Sequence, residues 1–496
     1  MSVNFEWDKK KAQGILSGDH FDIIREHFSV ENESAKFARY RNRWAARRTY
    51  VITQTGRFDP GMYYEIRKFL LNNQYGTRIT QSEDFNKNIL PKYNIAAPSF
   101  DCLNLTLRDY QQTIVDTCLR IGRGTVILAT AGGKTLTIAN LIQNVFESSE
   151  SKRKFKCLVL VPDLGLVNQT HSDFVEYGVS FNHSKWSGSN KLNLMSNVII
   201  ANMGILQSEK SDISWIADID LLIVDEVHKI RRGNKINKTI KLIKTPHKFG
   251  FTGTMPEEDI DQWNIIGRIG PVLFEKNSYQ LRSEDYIANA AIQILKLEYI
   301  LQPDACSNAN PSDRYRNELD FLMDSKFRNN TIANLANKFN NNSLILIDFI
   351  KHGEVLYDYI TKSCPNKKCY FIRGDVGVED RDKVRKLMET DTDIVVIAIS
   401  KIFSTGINIK NLHYIVFAGG GKAKVKIVQS IGRGLRLHKD KSKLIIIDIA
   451  DQLLYGYRHM TKRISLYKKE KIKYGIKKIT EKIPTAKASK EKEGKD

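Results

Sequence analysis

The sequence lacks any long uninterrupted run of apolar residues. None of its apolar stretches approaches the roughly 18 residues that a membrane-spanning helix needs. Its amino terminus, which reads Met-Ser-Val-Asn-Phe-Glu-Trp-Asp-Lys-Lys-Lys, contains no apolar core of the kind found in signal peptides. We therefore expect a cytoplasmic protein that makes no membrane contact.

Cysteine is also scarce. The six cysteines among 496 residues are scattered along the chain, as in reduced intracellular proteins. Cys364 and Cys369 come nearest to a pair, but no second pair and no neighbouring histidine cluster completes the ligand pattern of a zinc site. Ordinary thiols are expected at both positions.

Acidic residues are outnumbered by basic ones. The chain has 77 lysines and arginines against 56 aspartates and glutamates, which gives a formal net charge of +21. A surplus of this size favours a polyanionic partner, nucleic acid before membrane, although a merely soluble basic protein could have the same composition. The length predicts two or three domains, because one hydrophobic core rarely serves 496 residues.

A short loop between an apolar strand and a helix is the most informative stretch. Residues 125–128 are typical of a buried strand, residues 129–135 read Ala-Thr-Ala-Gly-Gly-Lys-Thr, and helical spacing of apolar residues follows. In such a loop the backbone N–H groups hold phosphate oxygens, Lys134 neutralises phosphate charge and the Thr135 hydroxyl ligates Mg²⁺. The full pattern has glycine six residues before the lysine, where this chain has Leu128. A chance Gly-Lys-Thr triplet therefore stays open at this point.

An acidic pair follows another apolar run about 90 residues downstream. Residues 221–224 predict a buried strand, and they lead directly into Asp225, Glu226, Val227 and His228. Carboxylates placed there can hold Mg²⁺ through Asp225 and activate an attacking water through Glu226, whereas an isolated Asp-Glu pair is commonly an exposed turn. A phosphate loop and a strand-end acidic pair in this order are much harder to explain by chance.

Strands alternate with helices over most of the remaining chain. Buried strands are predicted at 198–201, 344–347, 394–399 and 444–447, and further strands at 157–161, at 291–301 and ending near Thr254. A bridging region is expected at 255–285, and one long helix over most of 313–341. The second half has no phosphate loop. Arg433 and Arg436 could share a helical face and reach a γ-phosphate, although a solvated basic face is the alternative.

Basic and aromatic residues interleave near the amino terminus. Residues 36–48 contain six basic residues, three aromatic residues and no acid. Their arginines can pair with phosphates while the aromatic rings stack on bases or pack beneath a sheet; the segment includes Phe37, Tyr40, Arg41, Arg43, Trp44, Arg47 and Arg48. We favour nucleic-acid contact over a solvated basic face, because the segment matches the overall charge. A strand at 49–53 and a helix at 60–71 follow.

The carboxy-terminal end is strongly basic. Residues 461–496 have a net charge of +8, and His459, Arg463 and Tyr467 share helical spacing. We expect a helix docked on the second domain and a disordered tail beyond Pro484.

Taken in order, these stretches resemble the superfamily 2 helicases and translocases over roughly residues 105–450. The motifs that carry the resemblance are the adenine-recognition motif at 107–111, motif I at 130–135, motif Ia at 161–169, a DExH-type motif II at 225–228, motif III at 252–254, motif V at 404–409 and motif VI at 429–436. Within this superfamily the chain is most similar to phage UvsW-type helicases, which remodel branched DNA. That likeness extends into the amino-terminal region around Trp44 and the carboxy-terminal helix.

The resemblance implies an α/β fold with two tandem RecA-like parallel-sheet domains. The implied domains are an amino-terminal α+β nucleic-acid-binding domain at 1–100, RecA-like domains at 101–285 and 286–460, and a basic helix and tail at 461–496. ATP and Mg²⁺ would bind in the cleft between the RecA-like domains.

The resemblance also implies roles for individual residues. Arg108 would stack on adenine, and Gln111 would read its edge. Phosphate would be held by Thr130, Gly132, Gly133, Lys134 and Thr135, the metal by Thr135 and Asp225, and Glu226 would be the general base. The second domain would complete the site with Gly406, Gln429, Arg433 and Arg436, nucleotide state would be coupled to DNA binding by His228, Thr252 and Thr254, and nucleic acid would be contacted by Thr405. Three residues depart from the family pattern: Ala131 replaces a usual glycine, Asn408 replaces a common aspartate, and Gly204 stands where a polar DNA contact is usual.

The implied activity is ATP-dependent unwinding or branch migration of forks, displacement loops and Holliday-type junctions, stepping 3′ to 5′, by a monomer. It would serve phage replication, recombination or repair. Three alternatives stay open: an RNA helicase, the motor subunit of a restriction system, and a nucleic-acid-binding protein with an inactive ATPase. His228 in place of aspartate weighs against the first. The second lacks an Asp…Glu-X-Lys nuclease pattern in either flank, and Leu128 and Ala131 motivate the third.

Overall fold

Two seven-stranded parallel sheets dominate the fold, one in each of the units Met1–Leu281 and Arg282–Asp496. The computed structural model describes residues 2–31, 48–73, 78–90, 93, 95, 97–300, 310–373, 378–400, 409, 411–419 and 443–482. None of the helices in this part of the chain combines the length and apolar composition that a bilayer span requires.

A small α+β domain opens the first unit. Its elements are β1 (Ser2–Asp8), β2 (Gln13–Gly18), α1 (Phe21–His27), β3 (Ser29–Glu31), β4 (Arg48–Tyr50), β5 (Arg57–Phe58), α2 (Tyr63–Asn72), β6 (Arg78–Gln81) and α3 (Glu83–Ile89). The order β5-β2-β1-β6 makes one sheet, and β3 pairs with β4. Val3 and Phe5 alternate with more exposed neighbours in β1, as expected when one face of a sheet covers a core. The predicted strand at 49–53 is shorter and shifted, since the pairing ends at Tyr50.

The first large sheet follows within the same unit. Its strands are β7 (Gly124–Leu128), β8 (Cys157–Val161), β9 (His183–Trp186), β10 (Val198–Asn202), β11 (Leu221–Asp225), β12 (Lys248–Thr252) and β13 (Val272–Lys276), and its helices are α4 (Asp109–Ile121), α5 (Lys134–Ser148), α6 (Leu164–Tyr177), α7 (Lys235–Ile240), α8 (Asp259–Arg268) and α9 (Ser278–Ser283). The strand order is β13-β7-β12-β11-β8-β10-β9. All five residues of β8 are buried, as in parallel strands covered on both faces. β13 was not predicted, because its apolar run is only three residues long and most of the strand is exposed or part-exposed.

The second unit contains the other parallel sheet. Its strands are β14 (Asn289–Glu298), β15 (Ser343–Ile347), β16 (Lys368–Ile372), β17 (Ile394–Ile399), β18 (Tyr414–Phe417), β19 (Lys443–Asp451) and β20 (Lys473–Thr480), and its helices are α10 (Pro311–Asp324), α11 (Lys326–Lys338), α12 (Ile350–Ser363), α13 (Val378–Thr390) and α14 (Leu454–Lys469). The order is β16-β17-β15-β18-β19-β14-β20. The two sheets confirm the predicted α/β fold with tandem RecA-like domains.

Two elements of the second unit differ from the sequence prediction. The single helix predicted over most of 313–341 is wrong: it breaks at Ser325, whose hydroxyl accepts a hydrogen bond from the Arg328 N–H and caps α11. The basic carboxy-terminal segment contains β20 as well as a helix, and β20 extends the sheet by pairing parallel to β14. The docking of α14 is confirmed, because Arg463 and Tyr467 both bond to the buried carboxylate of Asp448. The tail beyond Pro484 lies outside the described residues.

The amino-terminal domain packs directly on α8 of the first large domain. Asp59 forms an ion pair with Arg268, and Phe28 lies edge-on to Trp263 with ring centroids 5.5 Å apart. Gly61 approaches the α8 backbone so closely that an added Cβ would lie 1.8 Å from the Ile266 carbonyl oxygen. Charged, aromatic and backbone contacts therefore fix this domain in place.

Candidate nucleotide site

Three neighbouring strands bring the predicted catalytic loops together. β7, β12 and β11 are adjacent and parallel, with Ile127 paired to Thr252 and Phe251 paired to Asp225. Their carboxyl ends therefore lie at one edge of the sheet, where open α/β folds bind their ligands. The loop at 129–133 leaves this edge from β7.

Backbone geometry shapes the loop at 129–133. Gly133 caps α5 with φ +80°, and a Cβ there would lie 2.3 Å from Gln111 Nε2. A Cβ on Gly132 would lie 2.7 Å from Leu128 Cγ. Ala131 has φ +68°, a left-handed conformation that is uncommon for any residue other than glycine. Leu128, which occupies the position of the missing glycine, is fully buried and supports Gly132 from below.

The start of α4 holds the loop from the other side. Gln111 is almost completely buried: its Oε1 accepts the Arg108 N–H, and its Nε2 lies 3.2 Å from the carbonyl oxygens of both Gly132 and Gly133. The Tyr110 hydroxyl donates to the Gly132 oxygen at 2.8 Å. In this structure the Gln111 amide therefore braces the phosphate loop. The adenine-reading role implied by the resemblance stays a prediction.

A charged cluster spans the loop and the acidic motif. Lys134 Nζ lies 3.5 Å from Glu226 Oε1, and Glu226 Oε2 lies 3.2 Å from His228 Nδ1. Burial and the neighbouring Glu226 carboxylate raise the pKa of Asp225, and Lys134 opposes that rise. Glu226 itself has φ +52°, so its backbone conformation is as strained as that of Ala131. The cluster thus gathers two carboxylates around one lysine.

A hydrogen-bonded chain continues from the cluster to the loop after β12. His228 Nδ1 lies 2.8 Å from Thr252 Oγ1, and this hydroxyl donates to the Thr254 carbonyl at 2.9 Å. Since the hydroxyl proton is used there, His228 carries its proton on Nδ1 and donates it to Thr252. Thr252 and His228 are both buried, so the contact is shielded from water.

The residues present suit a nucleotide and its metal. Backbone N–H groups at the start of α5 and the Lys134 ammonium suit phosphate oxygens. The Thr135 hydroxyl and the Asp225 carboxylate are oxygen ligands of the kind that Mg²⁺ takes. Thr130 lies beside the loop after β12, because a Cβ on Gly253 would be 3.6 Å from its Oγ1.

Two supporting residues were missed by sequence reasoning. Tyr110 was passed over although it adjoins Gln111 in the same motif. Lys276 gave no signal: its carbonyl accepts the Ala129 N–H at 3.1 Å, and its ammonium lies 4.8 Å from the centre of the Tyr110 ring. Both contacts steady the base of the phosphate loop.

Several predicted residues lie outside the described part of the chain. They are Phe37, Tyr40, Arg41, Arg43, Trp44 and Arg47 of the amino-terminal segment and Thr405, Gly406, Asn408, Gln429, Arg433 and Arg436 of the second domain. Arg48 is described. It pairs with Glu26 at 2.9 Å and bonds to the Ser29 hydroxyl at 3.0 Å, so part of its hydrogen-bonding capacity is used within the domain.

Comparisons with known proteins agree with this geometry. Two family models match: Type III restriction enzyme, res subunit, at residues 104–257, and Helicase conserved C-terminal domain, at residues 327–438. The chain is 27% identical over 450 residues to the ATP-dependent DNA helicase uvsW of Enterobacteria phage T4, with 87% of each chain covered. It is 23% identical over 399 residues to the DNA 3′-5′ translocase XPB2 of Sulfurisphaera tokodaii, covering 72% of this chain and 84% of that relative. The structure of the ATP-dependent Type ISP restriction-modification enzyme LlaBIII bound to DNA shares the fold, with a TM-score of 0.58 at 15% identity over 84% of this chain and 34% of that one.

The fold and the site together define a nucleotide-hydrolysing motor with tandem RecA-like domains. The loop after β7 and the acidic pair at the end of β11 lie together at one edge of its first sheet. The two matched domains and the Asp-Glu-Val-His sequence at 225–228 are those of a superfamily 2 helicase of the DExH type, and the chain is similar to the phage T4 helicase uvsW. It is an ATP-dependent helicase.

Proposed function

We propose that the protein is a DNA helicase that unwinds or branch-migrates forks, displacement loops and four-way junctions in the cytoplasm, as a monomer that steps 3′ to 5′. The observation that carries the proposal is the Lys134, Asp225 and Glu226 cluster at the carboxyl edge of the first sheet. The similarity to a phage DNA helicase extends over 87% of the chain. A named 3′-5′ translocase among the relatives supports the polarity.

The geometry suggests how hydrolysis begins. Lys134 and Glu226 pair with each other in this structure. Phosphate oxygens of ATP would compete for Lys134, and the released Glu226 carboxylate could then accept a proton from the attacking water. Mg²⁺, held by Thr135 and Asp225, would neutralise phosphate charge. Arg433 and Arg436 of the second domain would stabilise charge on the transferring phosphoryl group.

The link from hydrolysis to DNA runs through His228. Its Nδ1 lies 3.2 Å from the Glu226 carboxylate, and its Nδ1–H bonds to Thr252 in the loop after β12. A change in the position of Glu226 would therefore move the His228 imidazole, and His228 would in turn shift Thr252 and Thr254. Different DNA affinity in the two nucleotide states would then give stepping along a strand.

A panel of nucleic acids tests the substrate class. ATP hydrolysis and strand separation are measured on forked, three-way, four-way and linear DNA and on matched RNA. We expect branched DNA to stimulate hydrolysis and to be unwound. Equal or stronger stimulation by RNA would favour an RNA helicase, and DNA-dependent hydrolysis without strand separation would favour a restriction-type translocating motor.

The amino-terminal segment is proposed to engage the duplex at a junction. Trp44, Arg41, Arg43 and Arg47 would supply the contacts. Replacing Trp44 by alanine should lower fork unwinding while hydrolysis on single-stranded DNA persists. A second variant carries Trp44→Ala together with alanine in place of Arg41, Arg43 and Arg47. Unchanged fork unwinding by this fourfold variant would refute the role.

A further inference from the structure

A cavity of about 270 Å³ lies where the amino-terminal domain meets the first large domain. Trp7, Gln13 and Asp59 line it from one side, and Lys248 and Arg268 line it from the other. It shares no lining residue with the phosphate loop or the acidic motif. No role assigned so far uses it.

The cavity lies at the edge of the sheet opposite to the nucleotide site. Arg123 precedes β7, and the phosphate loop follows the same strand. Lys248 begins β12, and Thr252 ends it. Because a strand rises about 3.3 Å per residue, the two sites are more than about 10 Å apart along these strands. The two sites are therefore separate, yet two strands connect them directly.

Basic side chains dominate the lining. Asp59 is the one carboxylate among the described residues that line the cavity. The six basic residues are Lys11, Arg123, Lys241, Lys244, Lys248 and Arg268. The local excess of positive charge is therefore much larger than the average for this basic chain.

Two of the inner cations, Arg123 and Lys248, donate hydrogen bonds to backbone carbonyls, which carry no net charge to neutralise theirs. Arg123 is 2% exposed and donates from Nε to the Ile269 carbonyl at 2.8 Å. Lys248 Nζ donates to the Ile243 carbonyl at 2.7 Å. Only Arg268 has a carboxylate partner, Asp59, whose single charge faces three cations. Buried charges are normally paired, so this arrangement calls for a further anion.

Electrostatic effects on the inner groups point the same way. Burial, with the nearby guanidinium groups of Arg123 and Arg268, lowers the pKa of Lys248 to about 7. Burial lowers the pKa of Arg123 to about 10. An anion in the cavity would offset the repulsion between Lys248 and the two guanidinium groups, which produces part of the fall in the pKa of Lys248.

We propose that this cavity binds a phosphate group, supplied either by a nucleic-acid backbone or by a free phosphate compound. Guanidinium and ammonium groups are the side chains that recognise phosphate. The volume is slightly below the roughly 300–1,000 Å³ of typical small-molecule sites, which suits a small anion. Lys11, Lys241 and Lys244 are exposed, so an extended backbone could reach the inner cations past them. The nucleic-acid source rests on the proposed function, and the free-phosphate source does not.

Lysine acetylation followed by mass spectrometry tests the proposal on the full chain. Lys248 is a good reporter, because an amine with a lowered pKa is acetylated faster than lysines of ordinary pKa, which still react measurably. The probes are inorganic phosphate, pyrophosphate and a forked DNA without ATP, each compared with chloride at equal ionic strength. We expect at least one probe to slow acetylation of Lys248 fivefold or more, with Lys191 and Lys210, outside the cavity, as controls for the phosphate probes.

A rim variant provides the second measurement. Lys241→Gln with Lys244→Gln changes exposed residues outside the catalytic machinery, so the fold and basal ATP hydrolysis should persist. Affinity for the protecting probe should fall at least fivefold, measured by anisotropy for DNA and by calorimetry for phosphate. Lys191→Gln with Lys210→Gln is the matched control.

The outcomes separate the two sources. Protection by DNA alone supports a backbone phosphate, and protection by phosphate or pyrophosphate supports a free compound. If none of the probes protects Lys248, the proposal is wrong. If DNA fails to bind the chain at all, the proposed function fails, while the free-phosphate probes still decide the cavity.

Discussion

Glu226 has the most constrained position in the nucleotide site. Its backbone is left-handed, and its two carboxylate oxygens face Lys134 at 3.5 Å and His228 at 3.2 Å. Strain of this kind costs on the order of 1–3 kcal/mol and persists only where surrounding contacts enforce it. The strain directs one carboxylate to the point between Lys134 and His228.

Replacing Glu226 by glutamine should separate binding from chemistry. Glutamine keeps the size of the side chain but removes the base, so DNA-stimulated ATP hydrolysis should fall at least 100-fold while nucleotide affinity stays within a few fold. Lys134→Ala should instead weaken nucleotide binding as well. Steady-state hydrolysis and titration with a fluorescent ATP analogue measure both effects. Comparable hydrolysis in Glu226→Gln and the unaltered protein would exclude the assigned base.

Ala131 offers a test of the strained phosphate loop. A left-handed conformation costs an L-residue about 1–2 kcal/mol, least for small side chains and most for β-branched ones. Ala131→Gly should therefore keep nucleotide affinity and thermal stability close to those of the unaltered protein. Ala131→Val should weaken nucleotide binding roughly tenfold. Equal affinities for the glycine and valine variants would show that the loop adopts another conformation when it binds.

The residues of the candidate site could be predicted wherever a local sequence pattern specifies the chemistry. Lys134, Asp225 and Glu226 follow apolar strands, and parallel strands bring their ends to one edge, so their proximity followed from the sequence. The bracing of the loop by Tyr110 and Lys276 did not, because each contact depends on tertiary packing between segments far apart in the chain. The Gln111 amide was expected to face adenine, and in this structure its donors and acceptor are used by the loop and by Arg108.

The joint between the amino-terminal domain and α8 depends on a glycine. A methyl group on Gly61 would lie 1.8 Å from a backbone carbonyl, and backbone cannot move as a flexible side chain can. Gly61→Ala should therefore loosen the joint and lower thermal stability by about 1–3 kcal/mol. Limited proteolysis and thermal unfolding measure the change. Gly188→Ala is the control, since nothing lies within 4 Å of the added methyl there, and equal behaviour of the two variants would contradict the packing.

The packing of α12 against α11 should make the second unit sensitive to acid. His352 is 3% exposed, and its Nε2 lies 3.3 Å from Arg328 Nη1. Burial and the Arg328 charge lower the pKa of His352 to about 3. An unfolded histidine gains a proton near pH 6.5, so stability is lost as pH falls from about 6.5 towards 3, by about 2 kcal/mol at pH 5.

A substitution isolates this pH effect. His352→Gln removes the titrating group, so its free energy of unfolding should change less between pH 7 and pH 5 than that of the unaltered protein. Denaturant unfolding at several pH values gives both curves. If the free energies of unfolding of the two proteins change in parallel with pH, His352 takes up its proton in the folded protein at the same pH as in the unfolded chain.

Element boundaries were predictable where the apolar pattern was long and uniform. β8, β11 and β17 were predicted almost residue for residue, since buried parallel strands are continuous apolar runs. The helical pattern over 313–341 concealed the break at Ser325, because serine is tolerated within a helix and also caps one. β20 is mostly exposed and rich in lysine, and it is a strand only because β14 offers a partner edge.

At the scale of the whole molecule, charge should dominate the interaction with DNA. The net charge of +21 predicts binding that releases many counterions. Affinity for a fork should fall at least 100-fold between 50 and 200 mM salt if six or more phosphates are contacted. Anisotropy titrations across this range measure the slope. A nearly flat salt dependence would mean that the basic surfaces do not carry the affinity.

Nucleotide hydrolysis at the Lys134 and Glu226 cluster is proposed to drive strand separation. The most direct measurement is unwinding of a forked DNA by the unaltered protein and by Glu226→Gln, with ATP and with a non-hydrolysable analogue. We predict that only the unaltered protein with ATP separates the strands, while both proteins bind the fork. Unwinding by Glu226→Gln, or with the analogue, would contradict the account.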